Sequence, residues 1–370
     1  MANLAAVTCG VWLILAGSSV AQIKVGVAGP LTGPSRAYGA QIKNGISQAI
    51  EDINAAGGIH NQKIIAVYGD DADDPVQGLV IANTFVREKV NYVIGHFSSA
   101  ATLPASVIYE KNGMLNITPS STNTQITERG MWNIFRTCGR DDQQGDLAGS
   151  YIVKHFNGKN IAIINDGTGF GSGLAKEVKA IVNAHGIKEV LSDAIKAGQT
   201  DYAGLIARIK DLNVDLVYVA SEFTEAALLL KQMRNEGLNA VMMGGDSLST
   251  AEFVSIAGPA AEGTLMTFAP DPRSRPEAQD VVEIFRAKRI EAEAYTLYSY
   301  AAMQVIKQAV EMAASFDSRE VAAQIITGAK FKTVIGDLSF NKIGDITRFD
   351  YVMYRWSPDA GGRLVYREIR

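Results

Sequence analysis

Two clusters of hydroxyl side chains stand where β-branched runs give way to helical patterns. His96-Phe97-Ser98-Ser99-Ala100-Ala101-Thr102 follows Tyr92-Val93-Ile94-Gly95, and Thr118-Pro119-Ser120-Ser121-Thr122-Asn123 follows Met114-Leu115-Asn116-Ile117. A serine or threonine at such a junction caps the helix, and its hydroxyl and the free backbone amides together seat a carboxylate or phosphate. Plain capping accounts for one such turn; two on adjacent strands point to an anion site. Further along, Glu222 in Ser221-Glu222-Phe223 and Asp246 in Gly244-Gly245-Asp246-Ser247 also stand at strand ends. An acid opposite hydroxyl-lined helix ends suits a zwitterion, with its carboxylate on one side and its ammonium on the other. Asp246 also reads as a cap for a helix starting near Thr250.

Other chemistries lack their residues. Asn165-Asp166-Gly167-Thr168-Gly169-Phe170-Gly171-Ser172-Gly173 lies between a strand and a helix, as a dinucleotide fingerprint does, but the third glycine of the pattern falls on Ser172. The four histidines (His60, His96, His155, His185) are scattered without metal-ligand spacing, so no cofactor and no metal is expected. His96 is two residues from Ser98, yet no nucleophile elbow and no orienting acid accompany them, so the chain does not read as an enzyme.

The elements that position these residues alternate strand and helix. Strands are expected over 23–28, 63–68, 92–95 and 114–117, with helices over 37–53, 75–89 and on to Lys111. The rhythm restarts near Lys159, with strands over 160–164, 189–192, 215–220 and 240–243 and helices over 174–184 and 202–212. Helices over 277–289, 295–315 and 318–327 follow, and then a β-rich tail (333–340, 350–356, 363–368) broken by Gly344-Asp345 and Gly361-Gly362. Such βαβ units predict two α/β lobes with doubly wound parallel sheets, which bind ligands at the carboxyl ends of their strands.

Composition agrees with a two-lobed globular chain. It has 370 residues, 47% of them hydrophobic and 20% charged, which is too apolar for disorder and long enough for two cores. A net charge of −4 provides no field to hold nucleic acid. Before Lys24 no side chain is ionisable except Cys9, and Val11-Trp12-Leu13-Ile14-Leu15-Ala16 leads into Gly17-Ser18-Ser19-Val20-Ala21. This pattern predicts a secretory signal over residues 1–21, cleaved near Ala21, although the usual basic residue ahead of the apolar run is missing. Cleavage would leave Cys138 as the one thiol, so no internal disulfide is expected.

Longer segments resemble the periplasmic branched-chain amino-acid (leucine/isoleucine/valine-type) binding proteins of ABC transporters. They include Leu31-Thr32-Gly33-Pro34 with Tyr38-Gly39, Asp52-Ile53-Asn54-Ala55-Ala56-Gly57-Gly58-Ile59, Phe135-Arg136-Thr137-Cys138-Gly139-Arg140-Asp141-Asp142-Gln143-Gln144-Gly145, and Ala294-Tyr295-Thr296 with Tyr300-Ala301-Ala302. The likeness runs in order from about Ile23 to the C-terminus. It implies a type I periplasmic binding protein fold with three hinge crossovers, lobe one being 22–140 with 270–347 and lobe two 141–269 with 348–370. It also implies that Ser99 and Thr122 hold a ligand carboxylate, that Thr122, the Ser120 carbonyl and Asp246 hold its ammonium, and that Phe170 and the Tyr38 loop close over it. Ser98 and Ser121 belong to the same two turns.

Departures from the family bear on specificity. Asp73 and Ser98 replace a cysteine pair, Phe170 replaces a common tyrosine, and Phe97 and Tyr295 would face the side-chain pocket. Two rings there favour a small or medium aliphatic amino acid, branched-chain or γ-aminobutyrate-like. Glu222 stands where an apolar or aromatic residue is usual; turned inward it needs a second cation or a partner, and turned outward it is solvated. The expected protein is a monomeric periplasmic receptor that delivers a free amino acid to the membrane permease of an ABC importer. The same fold acting as an amino-acid or amide sensor in signalling is the alternative.

Overall fold

The computed structural model describes residues 22–348 and 350–369, so the predicted signal segment 1–21, Cys9 included, lies outside the described residues. The first sheet has the order β2-β1-β3-β4-β5, all parallel. Its strands are β1 (Ile23–Gly29), β2 (Ile64–Asp70), β3 (Tyr92–Ile94), β4 (Leu115–Thr118) and β5 (Ile134–Arg136). Helices α1 (Arg36–Ala55), α2 (Pro75–Arg87), α3 (Ser99–Lys111) and the single turn α4 (Gln125–Glu128) connect them. Every residue of β3, β4 and β5 is buried, as parallel strands covered on both faces must be.

Helix α5 (Asp141–His155) leads into the second unit, which contains β6 (Ile161–Asn165), α6 (Gly169–Ala184), β7 (Leu191–Ala194), α7 (Ala203–Asp211), β8 (Leu216–Ala220), α8 (Phe223–Asn235), β9 (Val241–Gly244), α9 (Ala251–Ala257) and β10 (Leu265–Phe268). The chain then returns through α10 (Gln279–Ala287), α11 (Ala294–Ala313), α12 (Ser318–Ile325) and the small pair β11 (Phe331–Thr333) and β12 (Gly336–Leu338). Helix α11 packs against α1 so closely that a Cβ on Gly45 would lie 2.0 Å from the Thr296 carbonyl oxygen. Finally β13 (Val352–Pro358) and β14 (Leu364–Ile369) rejoin the second sheet, whose order is β14-β13-β10-β9-β8-β6-β7. The chain thus passes between the two units three times.

Two of these passages share one buried ionic knot. Arg136 at the end of β5 is fully buried, and its Nε lies 2.7 Å from Asp345 Oδ1. Its terminal nitrogens donate to the carbonyls of Ser121 and Asn123, each at 3.1 Å, and to Thr127 Oγ1 at 2.6 Å. Arg140 takes the other oxygen of Asp345 at 2.8 Å. The backbone closes alongside, the Arg136 amide donating to the Gly344 carbonyl at 3.1 Å.

The structure adds to the expected elements and corrects several. β5, β10, α5 and α8 were not foreseen. β5 and β10 are short and fully buried, without the alternation that marks a strand. The second sheet is not wholly parallel, since β13 runs antiparallel to both β10 and β14. The region expected as one strand over 333–340 is instead the hairpin β11–β12, which joins neither large sheet.

Removing the guanidinium leaves the buried Asp345 to Arg140 and deprives the Ser121 and Asn123 carbonyls of their donor. Arg136→Met should lower unfolding stability by about 3–5 kcal/mol, read as an earlier midpoint in urea denaturation followed by circular dichroism.

Candidate functional site

The hydroxyl turns follow the carboxyl ends of β3 and β4 and are stitched to each other. Ser98 caps α3, its Oγ accepting the Ala101 amide at 3.3 Å, and Ser99 Oγ accepts the Asn123 amide at 3.2 Å. Ser120 Oγ donates to the Phe97 carbonyl at 2.9 Å. Ser121 Oγ lies 2.9 Å from the same carbonyl and 2.7 Å from Thr102 Oγ1, so this hydroxyl is engaged in joining the turns. Thr122 Oγ1 is buried beside the Asp141 carboxylate, and neither group has an aligned hydrogen-bond partner.

The opposing wall comes from the strand ends of the second sheet. Asp246 opens a short 3-10 turn after β9 and is only 3% exposed. Its Oδ2 accepts the Tyr295 hydroxyl at 2.6 Å, its amide donates to Gln144 Oε1 at 3.1 Å, and its Oδ1 has no partner. Burial pushes the carboxyl up to about 6, although the hydrogen bond from Tyr295 and the neighbouring Gln144 side chain pull the other way. The helix-cap alternative fails because Thr250 caps α9, accepting the Glu252 amide at 3.5 Å.

Glu222 precedes α8 without capping it by its side chain. The carboxylate lines the cleft, and its Oε2 is shielded from water and has no partner. Burial raises it well above the usual carboxylate range, as do the nearby acids Asp73, Asp166, Glu225 and Asp246. The glycine-rich loop shapes the same wall by close packing. A Cβ on Gly171 would lie 2.2 Å from Asp166 Oδ1 and 2.4 Å from the Ala220 carbonyl oxygen.

Aromatic rings seal the space between the walls. Tyr38 stacks on Phe97 with centroids 4.4 Å apart and meets Tyr295 edge-on at 5.5 Å. Its hydroxyl crosses the cleft to donate to the Ser247 carbonyl at 2.5 Å. What remains inside is a chamber of about 10 Å³, room for one water. Phe97, Ser98, Ser99, Ser120, Phe170, Glu222, Asp246 and Tyr295 line it, together with Ser247, which the sequence did not single out. Tyr38, Ser121 and Thr122 stand behind that lining. His96 is taken up elsewhere, with Nδ1 2.5 Å from Asp71 Oδ2 and Nε2 2.8 Å from the Tyr109 hydroxyl. It therefore activates neither Ser98 nor Ser99.

A carboxyl whose folded value is raised contributes stability below its unfolded value, near 4, and loses it as pH climbs through about 6. At pH 7.5 the ionised Asp246 therefore costs about 3 kcal/mol. Asp246→Asn should raise the melting temperature of the ligand-free protein at that pH, and the gain should vanish below about pH 4, which differential scanning fluorimetry across pH would read.

Comparison with known proteins agrees with this architecture. The family described as "Periplasmic binding protein" matches residues 22–362. The Leu/Ile/Val-binding protein homolog 1 of Brucella suis biovar 1 is 49% identical over 350 residues, covering 95% of this chain and 94% of its own. Among solved structures, a leucine-binding protein, LivK, from Thermotoga maritima superposes with a TM-score of 0.84 at 25% identity, covering 93% of this chain and 97% of its own. The branched-chain amino acid transporter substrate-binding protein LivJ of Streptococcus pneumoniae, in complex with isoleucine, gives a TM-score of 0.84 at 24% identity, covering 94% and 99%. The first sheet, the second sheet apart from its edge strand β14, and the cleft residues fall within 22–362, and the chain belongs to the periplasmic binding protein family.

Proposed function

We propose that this chain is an exported receptor that captures a free α-amino acid between its lobes and delivers it to the membrane permease of an ABC importer. One observation carries the reading: a buried acid, Asp246, keeps an oxygen without a partner opposite the hydroxyl-rich start of α3. That pairing matches a zwitterion and little else. The named functions of the relatives, Leu/Ile/Val-binding and leucine-binding, support it.

In this reading Ser99, Thr122 and the amides at the start of α3 hold the ligand carboxylate, while Asp246, Thr122 and the Ser120 carbonyl hold the ammonium. Phe170 and Tyr38 cover it, and an aliphatic stem lies against Phe97 and Tyr295. Residues 22–140 with 270–347 form one lobe and residues 141–269 with 348–370 the other, and they part about the three passages. The chamber is too small to admit a ligand closed, so the Tyr38–Ser247 and Tyr295–Asp246 bonds open first, and the ligand then shifts the population back toward closure. No bond is made or broken in the ligand, and the receptor acts as a monomer in the periplasm after cleavage near Ala21.

Four or five charge-assisted hydrogen bonds at roughly 1.5–3 kcal/mol each, net of closure costs, give micromolar or tighter affinity. Titration calorimetry of the mature chain against a panel of amino acids should find such binding, and Asp246→Ala should weaken it at least about a hundredfold; a panel without heat refutes the reading. Because the ammonium needs the ionised carboxylate, affinity should hold above pH 7 and fall up to tenfold per unit below about 6. Phe97→Leu should improve leucine relative to alanine, and an unchanged ratio would show that the rings do not set size.

A further inference from the structure

A second chamber of about 530 Å³ opens at the mouth of the cleft, and Ser98 and Glu222 belong to the walls of both. Its walls come from both sides: Ser35 and Asp73 from the first, Asp166 and Glu225 from the second. No lysine, arginine or histidine lines it among the described residues. Each acid is met only by neutral donors. Asp73 accepts Ser35 Oγ at 2.7 Å, Asp166 accepts Thr168 Oγ1 at 2.6 Å, and Glu225 accepts the Gly198 amide at 2.7 Å. Glu222 stands between the chambers with Oε2 out of reach of water and unpartnered, while the 97%-buried Asp246 keeps its own free oxygen in the inner chamber.

Five carboxyl groups line the chamber without a counter-charge, Asp74 (the cap of α2) among them, and burial with mutual repulsion raises Glu222 and Asp73, the latter to about 6. Helix geometry does not require this, because Glu222 makes no side-chain cap to α8. A neutral amino acid does not require it either, because Asp246 alone balances one ammonium. An amino acid anchored at Asp246 has Glu222 on the wall of the same chamber, and beyond Glu222 lie the acids of the mouth. Among the described residues no three His, Cys, Asp or Glu side chains are arranged to hold a metal ion, so the fitting occupant is an organic cation on the ligand itself.

We propose that the mouth of the cleft is a cation subsite, so that the receptor binds α-amino acids whose aliphatic stem ends in a positive charge, arginine or lysine in class, more tightly than their neutral counterparts. The inference rests on the amino-acid reading above and extends it from the ligand's common head to its side chain. A guanidinium suits the place especially, since its planar fork can serve two carboxylates at once.

Calorimetry of the mature chain with arginine, its neutral isostere citrulline, and leucine tests it. Arginine should bind at least tenfold more tightly than citrulline, and Glu222→Gln should bring the two within about threefold. Should that variant fail to fold, Glu225→Gln on the outer wall should still cut the ratio at least threefold. Leucine binding with arginine no better than citrulline, or a ratio that neither variant alters, overturns the cation subsite and leaves the amino-acid reading standing. Heat from none of the three, nor from any other amino acid, overturns both.

Discussion

The guanidinium of Arg136 is the constraint on which the rest of the structure depends. It is buried at the end of the last strand of the first sheet, where an uncompensated charge is prohibitive, so everything around it is arranged to satisfy it. Asp345 arrives from far along the chain and draws together the first and third passages between the units. The carbonyls of Ser121 and Asn123 turn toward the same group, which fixes Thr122 between them. One ion pair thereby links two of the passages between the units to the hydroxyl turn after β4.

The cleft follows a similar logic with the sign reversed. On the hydroxyl side most polar atoms are satisfied within the protein, through Ser120, Ser121 and the capped start of α3. On the acidic side they are not, and Asp246 and Glu222 each retain an oxygen that nothing among the described residues meets. A folded protein tolerates such groups where something else completes them. The asymmetry is why the acids, more than the serines, support the proposed reading of the cleft.

Much of this was legible in the sequence. β-branched runs followed by Ser-Ser or Ser-Ser-Thr located the strand ends because caps and turns are written in local residue types. The resemblance to a binding-protein family was carried by longer segments of the same kind. Direction was not legible: Val352–Pro358 and Leu364–Ile369 announce strands, but nothing local tells that they run antiparallel on the second sheet. Nor was β5, whose Ile134-Phe135-Arg136 ends in a charge made acceptable by the distant Asp345 together with the Ser121 and Asn123 carbonyls. Ser247 escaped notice because it offers a backbone carbonyl to Tyr38 rather than a distinctive side chain. Glu222 has its amide held by Asp166 Oδ2 at 3.3 Å, from the glycine-rich loop, a tertiary contact that spacing does not record.

The phenol bond from Tyr38 to the Ser247 carbonyl has a further consequence for how the protein works as a collector. A cleft latched shut by its own side chains is invisible to solutes until thermal motion releases it, so its apparent affinity is the intrinsic one scaled by the fraction of molecules standing open. Each added contact across the empty cleft reduces that fraction, and with it the rate at which dilute solute is gathered. The single hydroxyl of Tyr38 therefore acts as a gain control: the more firmly it latches the empty cleft, the slower the uptake and the less surely a closed receptor is a loaded one.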